Sequence, residues 1–192
     1  MEQLNHKKGN PVRKQTMVQS IRIEGFKSIP TMTLELGRIN CFIGANGVGK
    51  SNILEAIGVL SAAAKGRIDD ESLEYRGVRP GLPRLYKSSF ANERTPPHIY
   101  LEAASTAKAT YRVSLLNPLE KPAPAWSYKT EYLDDGAHQY VSVGVRSEKK
   151  LTPTAGFAAL RLVDIPEESP VHSLMIGLQN FSIYSPNTVT LR

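Results

Sequence analysis

Hydrophobic residues recur along this chain with two different periods, a period of two that is typical of strands and a period of 3.6 that is typical of helices. These periods predict where its strands and helices lie. Apolar side chains alternate with polar ones over residues 18–23 and 32–36, which predicts two short strands. Residues 39–43 are mostly apolar and rich in strand-forming types, so we expect a buried third strand there. A helical spacing of apolar residues then predicts a helix over 51–65 that stops at Gly66. The residues of this apolar stripe are Ile53, Ile57, Leu60 and Ala64.

The period changes after residue 97, where short alternating runs predict an antiparallel β segment over about 97–146. Its four expected strands occupy residues 98–104, 110–116, 126–133 and 139–146. Two short helices are expected before this segment, and a helix and a strand after it, at 71–75, 85–90, 168–179 and 181–184. Residues 1–16 are polar and show no period, which predicts a flexible basic leader. We therefore expect one lobe over 17–192.

Composition places the chain among ordinary globular proteins. Of its 192 residues 41% are hydrophobic and 22% are charged, which suits a single domain with a sizeable core. The leader lacks the apolar core of a secretory signal, and no apolar run approaches the length of a membrane span. The single cysteine, Cys41, falls in the expected strand at 39–43 and is predicted to be a small buried hydrophobe. These features predict a cytoplasmic protein that makes no membrane contact.

The charge is positive, with a formal net charge of +6 and a pI near 9.4. Such a balance is compatible with a nucleic-acid partner and equally with an ordinary basic protein. Two clusters contribute to it: Lys7, Lys8, Arg13 and Lys14 in the leader, and Arg76, Arg79, Arg84 and Lys87 in the middle of the chain. The leader is interpreted as a solvated arm or as an arm that contacts DNA.

The most specific chemical signal is the segment 44–51, which we call the glycine loop. Its residues are Gly44, Ala45, Asn46, Gly47, Val48, Gly49, Lys50 and Ser51, which fit the pattern Gly, four residues, Gly-Lys-Ser. Glycines let successive backbone N–H groups point at phosphate oxygens, and the helix that follows adds positive charge at the same place. Lys50 can reach the β- and γ-phosphates, and the Ser51 hydroxyl can bind Mg²⁺. The loop therefore predicts a bound nucleoside triphosphate with magnesium.

Three pieces between Ser20 and Lys65 resemble the N-terminal half of the ABC-type ATPases of the RecF and structural-maintenance-of-chromosomes (SMC) group. That group includes AAA ATPases related to the overcoming-lysogenization (OLD) nucleases and to anti-phage systems. The matching pieces read Ile-Arg-Ile-Glu-Gly-Phe-Lys-Ser at 21–28, Leu-Gly-Arg-Ile-Asn-Cys-Phe-Ile-Gly at 36–44 and Asn-Gly-Val-Gly-Lys-Ser-Asn-Ile-Leu-Glu-Ala-Ile at 46–57. The resemblance implies that ATP is the nucleotide. It also implies that Phe26 and Lys27 lie near the adenine and ribose, and it makes Gln179 a candidate for the family's glutamine at Mg²⁺ and the attacking water.

Hydrolysis in such proteins needs an apolar strand that ends in a carboxylate pair. Neither Asp164 with Glu167 nor the pair Asp134–Asp135, which is expected to form a hairpin turn, fits that pattern, so the catalytic residues are unknown. A Leu-Ser-Gly-Gly-like segment is absent as well. The expected fold is therefore α/β: the first lobe of a P-loop NTPase, with an N-terminal β meander, the P-loop helix and an antiparallel β segment. We expect it to be incomplete relative to the full ATPase head, and to be a short protein, a truncated reading frame or half of a two-chain head.

Three functions remain open from the sequence. The first is the ATP- and Mg²⁺-binding lobe of a RecF/SMC-like ATPase that acts in DNA maintenance or anti-phage defence. The second is an interaction module that binds ATP without hydrolysing it. The third is a small phosphotransferase in which Arg76, Arg79 and Arg84 hold phosphates opposite Lys50. The expected partners are the nucleotide, DNA, and a second chain or second copy that completes the ATP site.

Overall fold

The computed structural model describes residues 17–90, 97–116, 126–143 and 165–184. The strands in these ranges are β1 (Val18–Phe26), β2 (Ile29–Glu35), β3 (Ile99–Ser105), β4 (Thr110–Leu116), β5 (Ser127–Asp134) and β6 (Gln139–Val143). The helices are α1 (Lys50–Lys65), α2 (Asp70–Glu74) and α3 (Pro170–Gln179), together with a 3-10 turn at Pro83–Tyr86.

All six strands belong to one antiparallel sheet in the order β2-β1-β3-β4-β5-β6. The expected meander and the later β segment are thus continuous, because β1 pairs with β2 on one side and with β3 on the other. In this register Ile23 lies opposite Met32 and Leu101, so apolar side chains gather on one face of the sheet. The structure confirms the expected mixed α/β fold with its N-terminal meander and antiparallel β segment.

Helices α1 and α3 pack against each other and cover the apolar face of the sheet. Helix α1 is buried along most of its length, and small residues allow its close approach to its neighbours. A Cβ atom added at Gly58 would lie only 2.4 Å from Cγ2 of Val78. The helix ends at Gly66, whose φ of 97° only glycine adopts readily and whose N–H donates to the carbonyl of Ala63. Within the described ranges, no helix combines the length and the apolar character needed to cross a membrane.

The expectation of a buried strand at 39–43 is wrong. These residues form no strand, the side chains of Ile39 and Ile43 are 92% and 90% exposed, and Cys41 is exposed too. A strand is stable only beside a neighbour whose N–H and C=O groups it can pair with. Residues 39–43 make no backbone hydrogen bond to the rest of the described chain.

Three smaller differences between the predicted elements and the structure have local causes. Residues 181–184 are not a strand, since the N–H of Ile183 donates to the carbonyl of Arg76 outside the sheet. The helix expected at 85–90 is a 3-10 turn that begins earlier, at a proline suited to the first helical position. Helix α3 starts at Pro170, because Ser169 caps it through its side chain.

The turn at 134–136 forms the expected hairpin, with Asp135 Oδ1 accepting from the N–H groups of Ala137 and His138. The leader 1–16 and the expected turns at 117–118 and 122–124 lie outside the described residues.

Candidate functional site

The glycine loop leads directly into the first turn of α1. Gly47 and Gly49 have φ values of 86° and 97°, in the left-handed region that glycine adopts without steric cost. Gly49 is also the N-cap residue, so no side chain caps the helix, and the first turn contains no acidic residue. The start of α1 therefore keeps the positive electrostatic character that favours an anion.

Lys50 folds back over the loop that precedes it. Its Nζ donates to the carbonyl oxygens of Gly44 and Ala45, each at 2.7 Å. The side chain thus folds onto the start of the loop, and its ammonium group is held at the carbonyls of Gly44 and Ala45. Ser51 follows as an exposed residue in the first turn of the helix. Loop amides, an ammonium and a hydroxyl together form the donor set that suits a polyphosphate with a magnesium ion.

The turn at 25–29, between β1 and β2, lies against this loop. The Oγ atom of Ser28 accepts a hydrogen bond of 2.7 Å from Nδ2 of Asn52. A Cβ atom at Gly49 would fall 2.7 Å from the same Oγ, closer than side-chain atoms normally come. Gly49 is therefore required both by its backbone conformation and by the proximity of the turn.

A buried carboxylate lies one helical turn beyond Ser51. Glu55 is only 3% exposed, and it accepts from Nζ of Lys27 through one oxygen and from Nε of Arg79 through the other, the latter at 2.5 Å. Burial alone raises the pKa of Glu55, but the hydrogen bonds from the two cations outweigh it, and its pKa lies below the usual value. The side chain is thus held in its charged form.

Tyr86 links the two cations. Nζ of Lys27 lies 4.5 Å from the centre of the Tyr86 ring, and the Tyr86 hydroxyl donates to the carbonyl of Arg79. Burial raises the pKa of Tyr86 to about 12, so the hydroxyl keeps its proton and remains a donor near neutral pH. Phe26, expected near the nucleotide, is fully buried in the core and packs against Tyr86.

Gln179 does not lie near the glycine loop, so its expected role at Mg²⁺ is wrong. Its Nε2 donates to the carbonyl of Ala64 at 2.9 Å, near the opposite end of α1. The thirteen residues that separate Ser51 from Ala64 correspond to about 20 Å along a helix. The position of α3 causes this, since its last turn packs beside the end of α1.

The basic cluster in the middle of the chain does not form a continuous surface. Arg76 is 3% exposed and donates to Ser61 Oγ and to the carbonyl of Ser72, and Lys87 is 8% exposed. Arg79 is paired with Glu55, which leaves Arg84 as the exposed member without an acidic partner among the described residues. This geometry disfavours both a phosphate clamp made of Arg76, Arg79 and Arg84 and a nucleic-acid footprint at 76–87.

No cluster of metal-binding side chains occurs in the part of the chain that the structure describes. Asp134 and Asp135 lie at the end of β5, which is separated from β2 by β1, β3 and β4, a distance of about 19 Å across the sheet. The two carboxylates are therefore remote from the turn at 25–29, which joins β1 to β2 beside the glycine loop. Asp164 lies outside the described residues, and Glu167 is an exposed residue before α3.

Sequence reasoning missed the cluster of Lys27, Glu55 and Arg79. A signal was present, because Glu55 interrupts an apolar helical run between Ile53 and Ile57. A carboxylate on the buried face of a helix needs cationic partners, and the turn at 25–29 offers one.

Comparisons with known proteins agree with this geometry. Residues 17–101, which include the glycine loop and the turn at 25–29, match the family described as an AAA ATPase domain. The DNA replication and repair protein RecF of Phocaeicola vulgatus is 36% identical over 87 residues, which are 44% of this chain and 23% of that RecF. The matched region thus spans about a quarter of the length of that curated relative.

Among solved structures, an SMC ATPase studied for ATP-driven dimerization and DNA-stimulated activation aligns with a TM-score of 0.45 and 15% identity, over 65% of this chain and 72% of that one.

Proposed function

We propose that this chain contains, at residues 17–101, part of an ABC-type P-loop ATPase of the RecF/SMC-like group, and that it binds ATP with Mg²⁺ at the glycine loop. One observation carries the proposal: Gly49 and Lys50 form an uncapped helix start with an ammonium group held over the loop. The loop amides and Lys50 would hold the phosphates, and the Ser51 hydroxyl would bind the metal. The remaining loop residues, 44–48, would contribute backbone groups only.

A titration with a fluorescent ATP analogue tests this proposal. Lys50→Ala removes a charge-assisted contact worth about 1.5–3 kcal/mol, so the affinity should fall by roughly 10- to 150-fold. Lys65→Ala is the matched control, because Lys65 is an exposed lysine in the last turn of the same helix. Equal affinity of the wild-type and Lys50→Ala proteins would exclude the glycine loop as the binding site.

We further propose that a second polypeptide, another copy or a different chain, completes the ATP site and supplies the carboxylates for hydrolysis. The exposed apolar segment 39–43 supports this, because it leads into the glycine loop. Next to it, a groove of about 280 Å³ opens between β1, α1 and α3, lined by Phe42, Leu54 and Phe181 among others. Large exposed apolar surfaces of this kind usually mark interaction sites. On its own, the chain would then be a nucleotide-dependent interaction module.

The proposed biological setting is DNA maintenance or anti-phage defence in the cytoplasm. The name of the RecF relative supports a DNA link, and the leader 1–16 is the basic segment that would reach DNA. If the leader neutralises about four phosphates, the slope of log K against log salt should be near −3.6. Unchanged binding after removal of residues 1–16 would exclude the leader as the DNA contact. The phosphotransferase alternative loses support, because its arginine clamp does not assemble.

A further inference from the structure

The carboxylate of Glu55 connects the helix of the glycine loop to the turn at 25–29. Glu55 lies four residues after Ser51, on the same side of α1. Its side chain is 4% exposed and is shared by two cations of very different exposure, Lys27 at 18% and Arg79 at 68%. Because solvent screens an exposed pair more strongly, the contact with Lys27 is the stronger restraint of the two.

Lys27, in the middle of the turn, has an unfavourable backbone conformation. Its φ of 46° lies in the left-handed region, which a lysine adopts only when surrounding contacts enforce it. The backbone of the turn is held by two hydrogen bonds, since the N–H of Lys27 donates to the carbonyl of Tyr86 at 2.8 Å and the N–H of Ser88 donates to the carbonyl of Gly25 at 2.9 Å. The side chain of Lys27 adds a third contact, because its ammonium group donates to Glu55. The turn is therefore fixed both through its backbone and through the Lys27 side chain.

The next residue of the turn, Ser28, lies close to the end of the glycine loop. Its Oγ accepts a hydrogen bond from Asn52 in the first turn of α1, and it lies 2.7 Å from the position that a Cβ atom at Gly49 would take. A displacement of the turn would thus reach Gly49 and the helix start directly.

We propose that Glu55 is a positioning residue of the nucleotide site, which acts through Lys27 to hold the turn at 25–29 against Gly49. The proposal rests on the proposed function, since it concerns the same site. In this arrangement Lys27 serves as a tether to Glu55, and Glu55 touches neither nucleotide nor metal. Loss of the tether lets the turn relax from its left-handed conformation and weakens the fit of the loop to phosphate.

The test compares Glu55→Gln with Arg79→Ala in the full chain, using a fluorescent ATP analogue with Mg²⁺ and thermal unfolding of each variant. Glu55→Gln should weaken analogue binding roughly tenfold, as loss of a supporting contact does in metal sites. Arg79→Ala removes the exposed partner of the same carboxylate and should change the affinity by less than about twofold. An affinity loss that simply follows the loss of thermal stability across both variants would show a structural role and overturn the proposal.

A double-mutant cycle separates tethering from direct contact of Lys27 with the nucleotide. If Lys27 acts only through Glu55, then Lys27→Met should reproduce the loss, and the double variant should bind as well as either single one. A further loss in the double variant, or tighter binding by Glu55→Gln, would mean that Lys27 itself holds phosphate and would refute the tether. Lys27→Met also covers the case in which Glu55→Gln fails to fold, since it leaves the carboxylate paired with Arg79. Absence of analogue binding by the wild-type chain would refute the proposed function instead.

Discussion

Replacing Gly49 by alanine should destabilise the fold more than replacing Gly47, although both glycines have a left-handed backbone. In each variant the left-handed conformation costs about 1–2 kcal/mol. Reduced freedom of the unfolded chain offsets about 0.4–1 kcal/mol of that cost. A Cβ atom at Gly47 meets nothing within 4 Å, whereas at Gly49 it meets Ser28 Oγ at 2.7 Å. The difference between the two variants therefore isolates the contact with the turn.

The size of this difference in the free energy of unfolding depends on whether the Ser28 hydroxyl can rotate away from the new methyl group. If its hydroxyl rotates away, the hydrogen bond from Asn52 is lost, at about 0.5–1.5 kcal/mol. If it stays, the overlap costs about 1–3 kcal/mol, as overpacking does elsewhere. We therefore expect Gly49→Ala to lower the free energy of unfolding by about 0.5–3 kcal/mol more than Gly47→Ala does.

Urea denaturation of five proteins measures this effect: the wild type, the single variants Gly47→Ala, Gly49→Ala and Ser28→Ala, and the double variant Gly49→Ala/Ser28→Ala. With Oγ already removed, the double variant has neither an overlap to relieve nor a hydrogen bond from Asn52 to lose, so Gly49→Ala should cost less in the Ser28→Ala background than in the wild type. If Gly49→Ala costs no more than Gly47→Ala, the turn at 25–29 does not press on the loop, and the positioning argument fails with it.

Three further predictions concern chemistry. Because the pKa of Glu55 is lowered in the fold, its ion pairs with Lys27 and Arg79 should stabilise the protein fully above about pH 4.5. This stabilisation should be lost as the pH falls through the folded-state pKa, so the free energies of unfolding of the wild type and of Glu55→Gln should converge in acid. Cys41 is exposed, so a thiol reagent should modify the native protein at a rate close to that of the urea-unfolded chain, and strong protection would contradict the position of 39–43. The purified chain should show no Lys50-dependent ATP hydrolysis, because it lacks a recognisable catalytic carboxylate pair. Turnover on the order of 1 s⁻¹ would mean that the chain contains a catalytic carboxylate that the sequence pattern did not identify.

The sequence predicted best those elements whose signals are local. The bounds of α1 follow from an apolar stripe and a terminal glycine, and the structure places them at Lys50 and Lys65 with Gly66 as the cap. The strands between 99 and 134 largely alternate between apolar and polar residues, because one face of each is buried. By contrast, 39–43 has the composition of a strand but lacks a neighbour, and composition alone carries no information about pairing.

The site divides in the same way. The glycine loop is a contiguous motif, so its residues could be identified one after another. The tether from Lys27 to Glu55 joins positions that are 28 residues apart and depends on how the turn packs on α1. The prediction that Gln179 lies at Mg²⁺ failed for a related reason. Its position in the sequence does not indicate which end of α1 packs against the last turn of α3.

The exposed segment 39–43 also bears on handling of the protein. Residues 39–43 read Ile-Asn-Cys-Phe-Ile, without charge or proline, and Ile39 and Ile43 are almost fully exposed to water. Uncharged apolar stretches of this kind pair readily with copies of themselves and promote aggregation. The isolated chain should thus aggregate more as its concentration rises, and Ile39→Lys should raise its solubility by placing a charge on this exposed apolar segment.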